Sequence, residues 1–153
     1  METFTFQFLG IPELDDRLET ASMRAYVDTP VWNLPNAEIS WAVYLLGTAE
    51  PGSPNVPAYA APTRVEDFSG LPAAYVTVCQ FDPLRDEGME YARRLAQANV
   101  PVELHLYPST FHGAAALLQA AVSQRMNADA LEFLKRALAL GTSKTPAGEV
   151  AGA

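Results

Sequence analysis

The sequence holds a single cysteine, Cys79, which excludes an internal disulfide and any zinc site built from several thiolates. Nothing around it suggests a secreted, disulfide-stapled scaffold, so a reducing, cytoplasmic setting is expected. Basic residues are scarce as well: 10 Lys and Arg against 18 Asp and Glu give a formal net charge of -8. Such a surface repels phosphate backbones and anionic headgroups, and no nucleic acid partner is expected. No apolar run approaches the length that crosses a bilayer, and Met1-Glu2-Thr3-Phe4 lacks the basic flank and apolar core of a signal peptide. No membrane partner is expected either. Phosphate-binding glycine loops, nucleotide fingerprints and metal-ligand spacings are absent, so no cofactor is implied.

What is present is a chain of 153 residues, 49% apolar and 18% charged, the balance of a globular domain with a core. Phe4 to Gly10 sets Phe4, Phe6 and Phe8 against Thr5 and Gln7, a period of two that predicts a strand stopped by Gly10-Ile11-Pro12. A short helix is expected around Ser22 to Tyr26. Past Pro35 and Asn36, the residues Ile39, Val43 and Leu46 recur at helical spacing, widened by Trp41 and Tyr44 and closed by Gly47, which predicts a helix packed through that stripe. Four of the twelve prolines lie from Pro51 to Pro62, which reads as a loop.

Ala73 to Cys79 is continuously apolar, the pattern of a parallel strand covered on both faces. A helix follows from Asp86, with Met89, Ala92, Leu95 and Ala96 on one face, Arg93 and Arg94 offsetting its dipole, and Asn99 suited to a left-handed cap. Val102 to Tyr107 reads as a third strand ended by Pro108. Met126, Ala130, Phe133, Leu134, Ala137 and Leu138 define a last amphipathic helix closed by Gly141. Strand and helix alternate with short links, so the expected fold class is α/β, with about three parallel strands and flanking helices. Residues 1–141 form one domain in this reading, and 142–153 a disordered tail.

In open parallel sheets, functional side chains gather beyond the carboxyl ends of strands. Asp82 follows the second strand, and His112 follows the third across Pro108-Ser109-Thr110-Phe111. A carboxylate beside an imidazole fixes its tautomer and stabilises the imidazolium formed when histidine takes a nucleophile's proton. A turn aspartate and a solvated loop histidine would look the same in sequence. Gly113 lets the backbone turn tightly behind His112.

Further residues decide the matter by resemblance. Leu71-Pro72-Ala73-Ala74-Tyr75-Val76-Thr77-Val78, Phe81-Asp82-Pro83-Leu84-Arg85-Asp86-Glu87-Gly88 and Tyr91-Ala92-Arg93-Arg94-Leu95 resemble the hormone-sensitive-lipase-like branch of the α/β-hydrolases (fold-3). So do Val100-Pro101-Val102-Glu103-Leu104, Tyr107-Pro108 and Phe111-His112-Gly113, and upstream Pro12-Glu13-Leu14-Asp15-Asp16-Arg17 and Asn33 to Leu46. The resemblance implies a partial α/β-hydrolase, a C-terminal half, with Asp82 as catalytic acid and His112 as catalytic base for small acyl esters. The family's Gly-x-Ser-x-Gly nucleophile turn and His-Gly-Gly oxyanion segment have no counterpart in these residues. Ala114, Ala115 and Ala116 stand where the family usually has bulky aromatics.

Substitutes for the serine are weak. Ser109, three residues before His112, lacks a helix N-terminus to hold an oxyanion. Cys79 sits in the apolar run and reads as an inert core thiol. His105, between Leu104 and Leu106, reads as an exposed or helix-covered strand residue, and Arg85, Asp86 and Glu87 as helix capping charges. Trp32, Trp41 and Tyr44 read as core or, by the resemblance, as an acyl pocket.

The expectation is therefore a serine carboxylesterase portion supplying Asp and His, its serine coming from a missing or separate N-terminal half. The alternative is an inert truncated hydrolase domain serving as an interaction module. The exposed edge of the first strand predicts self-association or pairing with that N-terminal half. A chain without its nucleophile is expected to be nearly inactive alone.

Overall fold

The structure, a computed structural model, describes residues 4–142. The expectation of a disordered tail therefore lies outside the described residues, except for Thr142. Among the described residues three strands make one parallel sheet in the order β1 (Phe6–Gly10), β2 (Ala73–Phe81), β3 (Val102–Phe111). α1 (Ala21–Ala25) and α2 (Leu34–Tyr44) lie in the β1-to-β2 connection, α3 (Arg85–Gln97) joins β2 to β3, and α4 (Ala121–Thr142) follows β3. Phe4 stays outside β1 and is 85% exposed. α4 runs through Gly141, which therefore does not close it.

β2 is central, and every residue from Ala74 to Cys79 is buried, Thr77 included, as a strand covered by helices on both faces requires. Val76 and Val78 pack with Leu14, Phe68, Tyr91 and Leu95 on the α3 side. Cys79 joins Tyr107, Ala114 and Met126 on the α4 side, where Tyr75 also meets the Phe133 ring at 4.8 Å. α3 lies close to the sheet because residue 88 is glycine: a Cβ there would sit 2.6 Å from Cγ1 of Val78. Asn99, at φ 58, supplies the left-handed residue after α3.

Two expected faces are rotated. In α3, Glu87, Gly88, Tyr91, Ala92 and Leu95 are buried while Met89 and Ala96 face solvent. In α2, Ala37, Trp41 and the adjoining Leu45 are buried, whereas Ile39, Val43 and Leu46 are exposed. α2 is apolar on both sides, so its pattern carries no direction, and the face of small and aromatic residues is the one that fits against Val56 and Ala61. β3 also continues past Pro108. From the Cys79–Tyr107 pair to the Phe81–Phe111 pair the two strands fall out of step, and the surplus β3 residues include Ser109 at φ 60.

The long connection from β1 to β2 is tied together by a buried acid. Asp16, 1% exposed, accepts Arg64 Nε at 2.6 Å and the backbone N–H of Gly52 at 2.7 Å, which anchors the proline-rich segment.

Candidate active site

β2 ends at Phe81, and the next residue is Asp82, 1% exposed. One carboxylate oxygen, Oδ1, accepts the backbone N–H of Leu84 at 3.0 Å, which fixes the side chain in the turn before α3. The irregular end of β3 delivers His112 to the same rim. Its Nδ1 lies 3.0 Å from Oδ2 of Asp82, and its side chain keeps 16% of its surface exposed. Gly113, at φ 80, turns the chain into a short 3-10 helix, Ala114–Ala116, backed by Ser123 and Met126. With Nδ1–H given to the carboxylate, Nε2 keeps its lone pair for a proton from outside.

The imidazole is held on its face as well. Trp32 stacks on it with ring centroids 5.4 Å apart and planes at 27°. Trp32, which in sequence fits either core or pocket wall, lies against the histidine.

Two acids that their sequence neighbourhood does not assign to the site, Glu13 and Glu87, are partly or fully buried near it. Glu13 Oε2 accepts the Ser40 hydroxyl at 2.8 Å, and Oε1 is buried without a hydrogen-bond partner. Burial pushes the Glu13 carboxyl up, while Ser40 and the charge of His112 act in the opposite direction. Glu87, expected as a capping charge of α3 and found in its first turn, is 1% exposed and accepts the backbone N–H groups of Leu14 at 2.5 Å and Asp15 at 3.1 Å. Burial is the main cause that pushes its carboxyl up to about 8. Glu87 thus fixes the backbone next to Glu13. The polar spacing in Pro12-Glu13-Leu14-Asp15-Asp16 gave no sign of this, because the partners are 72 and 73 residues away.

The rejected substitutes stay apart from chemistry. Cys79 is fully buried and burial pushes its thiol up, which disfavours the thiolate. Ser109 is exposed, and its backbone N–H donates to Gln80 Oε1 at 2.6 Å. His105 lies under α4, with Nε2 2.8 Å from Glu103 Oε1 and Nδ1 3.9 Å from Asp129. Trp41 is core, while Tyr44 is 62% exposed. No helix among the described residues is long and apolar enough to cross a membrane.

This geometry can be set beside known proteins. A family profile described as alpha/beta hydrolase fold matches residues 2–116, which include Asp82 and His112. The chain belongs to the α/β-hydrolase fold family. Among curated members, esterase LipI of Mycobacterium tuberculosis is 35% identical over 108 residues, covering 71% of this chain and 33% of the relative. Carboxylesterase NlhH of the same organism is 34% identical over 119 residues, covering 71% and 34%. The chain thus spans about a third of the length of these relatives. Among solved structures, a bacterial heroin esterase superposes with a TM-score of 0.84 at 56% identity, covering 88% of this chain and 43% of that one. Esterase LipW from Mycobacterium marinum gives a TM-score of 0.79 at 37% identity, covering 87% and 40%. This α/β-hydrolase chain carries the fold expected from its sequence, and its similarity to esterases supports the fold-3 branch named there.

Proposed function

We propose that this α/β-hydrolase chain supplies the acid–base pair of a serine carboxylic-ester hydrolase acting on small acyl esters. The carrying observation is the contact between His112 Nδ1 and a buried Asp82 oxygen at the carboxyl ends of two adjacent parallel strands. His112 acts as general base through Nε2, takes the proton of a serine hydroxyl as it attacks the ester carbonyl, and returns that proton to the leaving alcohol. Asp82 orients the ring and stabilises the imidazolium.

The serine and the oxyanion donors come, in this reading, from residues outside these 153, since neither a Gly-x-Ser-x-Gly nor a His-Gly-Gly segment occurs in them. The open side of β1, where Phe8 is 42% exposed, is the place for that complement, and in its absence for a second copy of the chain. A single buried cysteine suits a cytoplasmic setting.

The test is hydrolysis of p-nitrophenyl acetate by the purified chain alone and by the chain fused to the N-terminal part of the 56% identical esterase. The expected result is a background rate for the first and turnover for the second, lost with His112→Ala. Turnover by the chain alone, or none by a folded fusion, contradicts the reading.

A further inference from the structure

The apolar stripe expected to bury α2 faces outward instead. Ile39 is 63% exposed, Val43 67% and Tyr44 62%. With Trp32, Asn36 and Ser40 they wall an open groove of about 640 Å³. The groove is joined to the Asp82–His112 pair through Trp32, which lies in its wall and stacks on the His112 ring.

Ser40, in the middle of the wall, does not present a free hydroxyl. It donates to Glu13, so a carboxylate stands one hydrogen bond behind the groove. The second oxygen of that carboxylate is sealed from water and unpartnered, and no Lys or Arg among the described residues forms an ion pair with Glu13. The Coulomb partner it does have is His112. A half-buried carboxylate with one oxygen sealed from water and no fixed cation is screened less than a fully solvated one.

We propose that this groove receives the positively charged part of an ester substrate, with Glu13 as counter-charge and the Trp32 and Tyr44 rings as its walls. The word substrate rests on the esterase reading; the cation site itself does not. Aromatic faces attract cations through their quadrupole, and the effect grows when the cation sheds water. Ile39 and Val43 favour a cation that carries its own apolar surface. A quaternary alkylammonium, which carries methyl groups and no N–H, therefore fits this mostly apolar and aromatic wall better than a primary ammonium, whose three N–H groups outnumber the Asn36 and Ser40 oxygens in the wall.

The experiment titrates the full chain with choline and with its uncharged isostere 3,3-dimethylbutan-1-ol, following the Trp32 indole and the Ile39 and Val43 methyl signals by NMR. Choline is expected to shift these signals with an apparent Kd at least fivefold lower than the alcohol. Glu13→Gln, which keeps an acceptor for Ser40, is expected to bring the two ligands within twofold. Should that variant not fold, Tyr44→Leu, at an exposed position, is expected to weaken choline alone. Equal binding of both ligands by the unaltered chain overturns the proposal, as does undiminished discrimination in the variants. The fused esterase then takes the same probe: loss of the choline response there would assign the groove to contact with the complementing part and also overturn it. A fusion that hydrolyses no ester yet keeps the choline response defeats the esterase reading and leaves the cation site standing.

Discussion

Nδ1 of His112 and Oδ2 of Asp82 lie 3.0 Å apart although 30 residues separate them in the chain. The distance is set by the sheet, since β2 and β3 are hydrogen-bonded neighbours whose pairing resumes at Phe81 and Phe111, one residue before each functional side chain. The surplus residues of β3 around Ser109 bring the two strand ends level. Had the strand stopped at Pro108, as its sequence suggests, the histidine would hang from a loop rather than from a paired backbone.

Asp82→Asn should leave the fold intact and remove the acceptor that holds Nδ1–H. The ring then loses its preferred tautomer, and esterase activity of the fused protein is expected to fall by about 10³- to 10⁴-fold in kcat, with KM little changed. Steady-state hydrolysis of p-nitrophenyl acetate reads this split. A raised KM with kcat unchanged would show that Asp82 acts in binding instead.

Gly88→Ala tests the contact between α3 and β2. The added methyl meets the stiff Val78 side chain at 2.6 Å, in a core that also includes Ala92 and Leu95. Overpacking of this kind costs about 1–3 kcal/mol. Thermal unfolding followed by circular dichroism is expected to show a midpoint several degrees lower. An unchanged midpoint would mean that the helix rides freely on the sheet.

Glu87 gives the stability a pH dependence of definite sign. Its carboxyl is pushed from an ordinary 4.5 up to about 8, chiefly by burial, with the Asp15 and Glu13 carboxylates adding to the same effect. The folded state therefore binds the proton more tightly than the unfolded state. Its contribution is fully present below about pH 4.5 and is lost as pH rises toward 8. Glu87→Gln keeps an acceptor for Leu14 and Asp15 and removes the titration. The variant is expected to gain stability relative to the parent chain between pH 5 and pH 8 in urea unfolding. Parallel curves for the two proteins would contradict a buried, titrating Glu87.

The sheet is legible in the sequence because Thr77 alone interrupts the apolar run from Ala73 to Cys79 and Asn99 marks the end of α3. Asp82 and His112 were legible through the Asp-Pro-Leu-Arg-Asp-Glu-Gly and Phe-His-Gly motifs. α2 was misread in its orientation. Residues 37, 41 and 45 recur at helical spacing as 39, 43 and 46 do, and hydropathy favours the aliphatic set, which the fold leaves outside. The outward stripe makes sense as a binding wall rather than a core face. Glu13 and Glu87 were missed because their meaning depends on contacts with Ser40, Leu14 and Asp15, and local pattern reading treats acids near turns and helix starts as solvated.

The central claim is that His112 and Asp82 serve a nucleophile that these 153 residues do not contain. A fluorophosphonate ester, which labels activated serines, tests it on the fused protein, with the labelled residue located by mass spectrometry. The account predicts label only on the serine of the Gly-x-Ser-x-Gly segment in the added part, forming at least about 10³-fold more slowly with His112→Ala. Label on Ser109, Cys79 or any other residue of this chain, or labelling indifferent to His112→Ala, would contradict it.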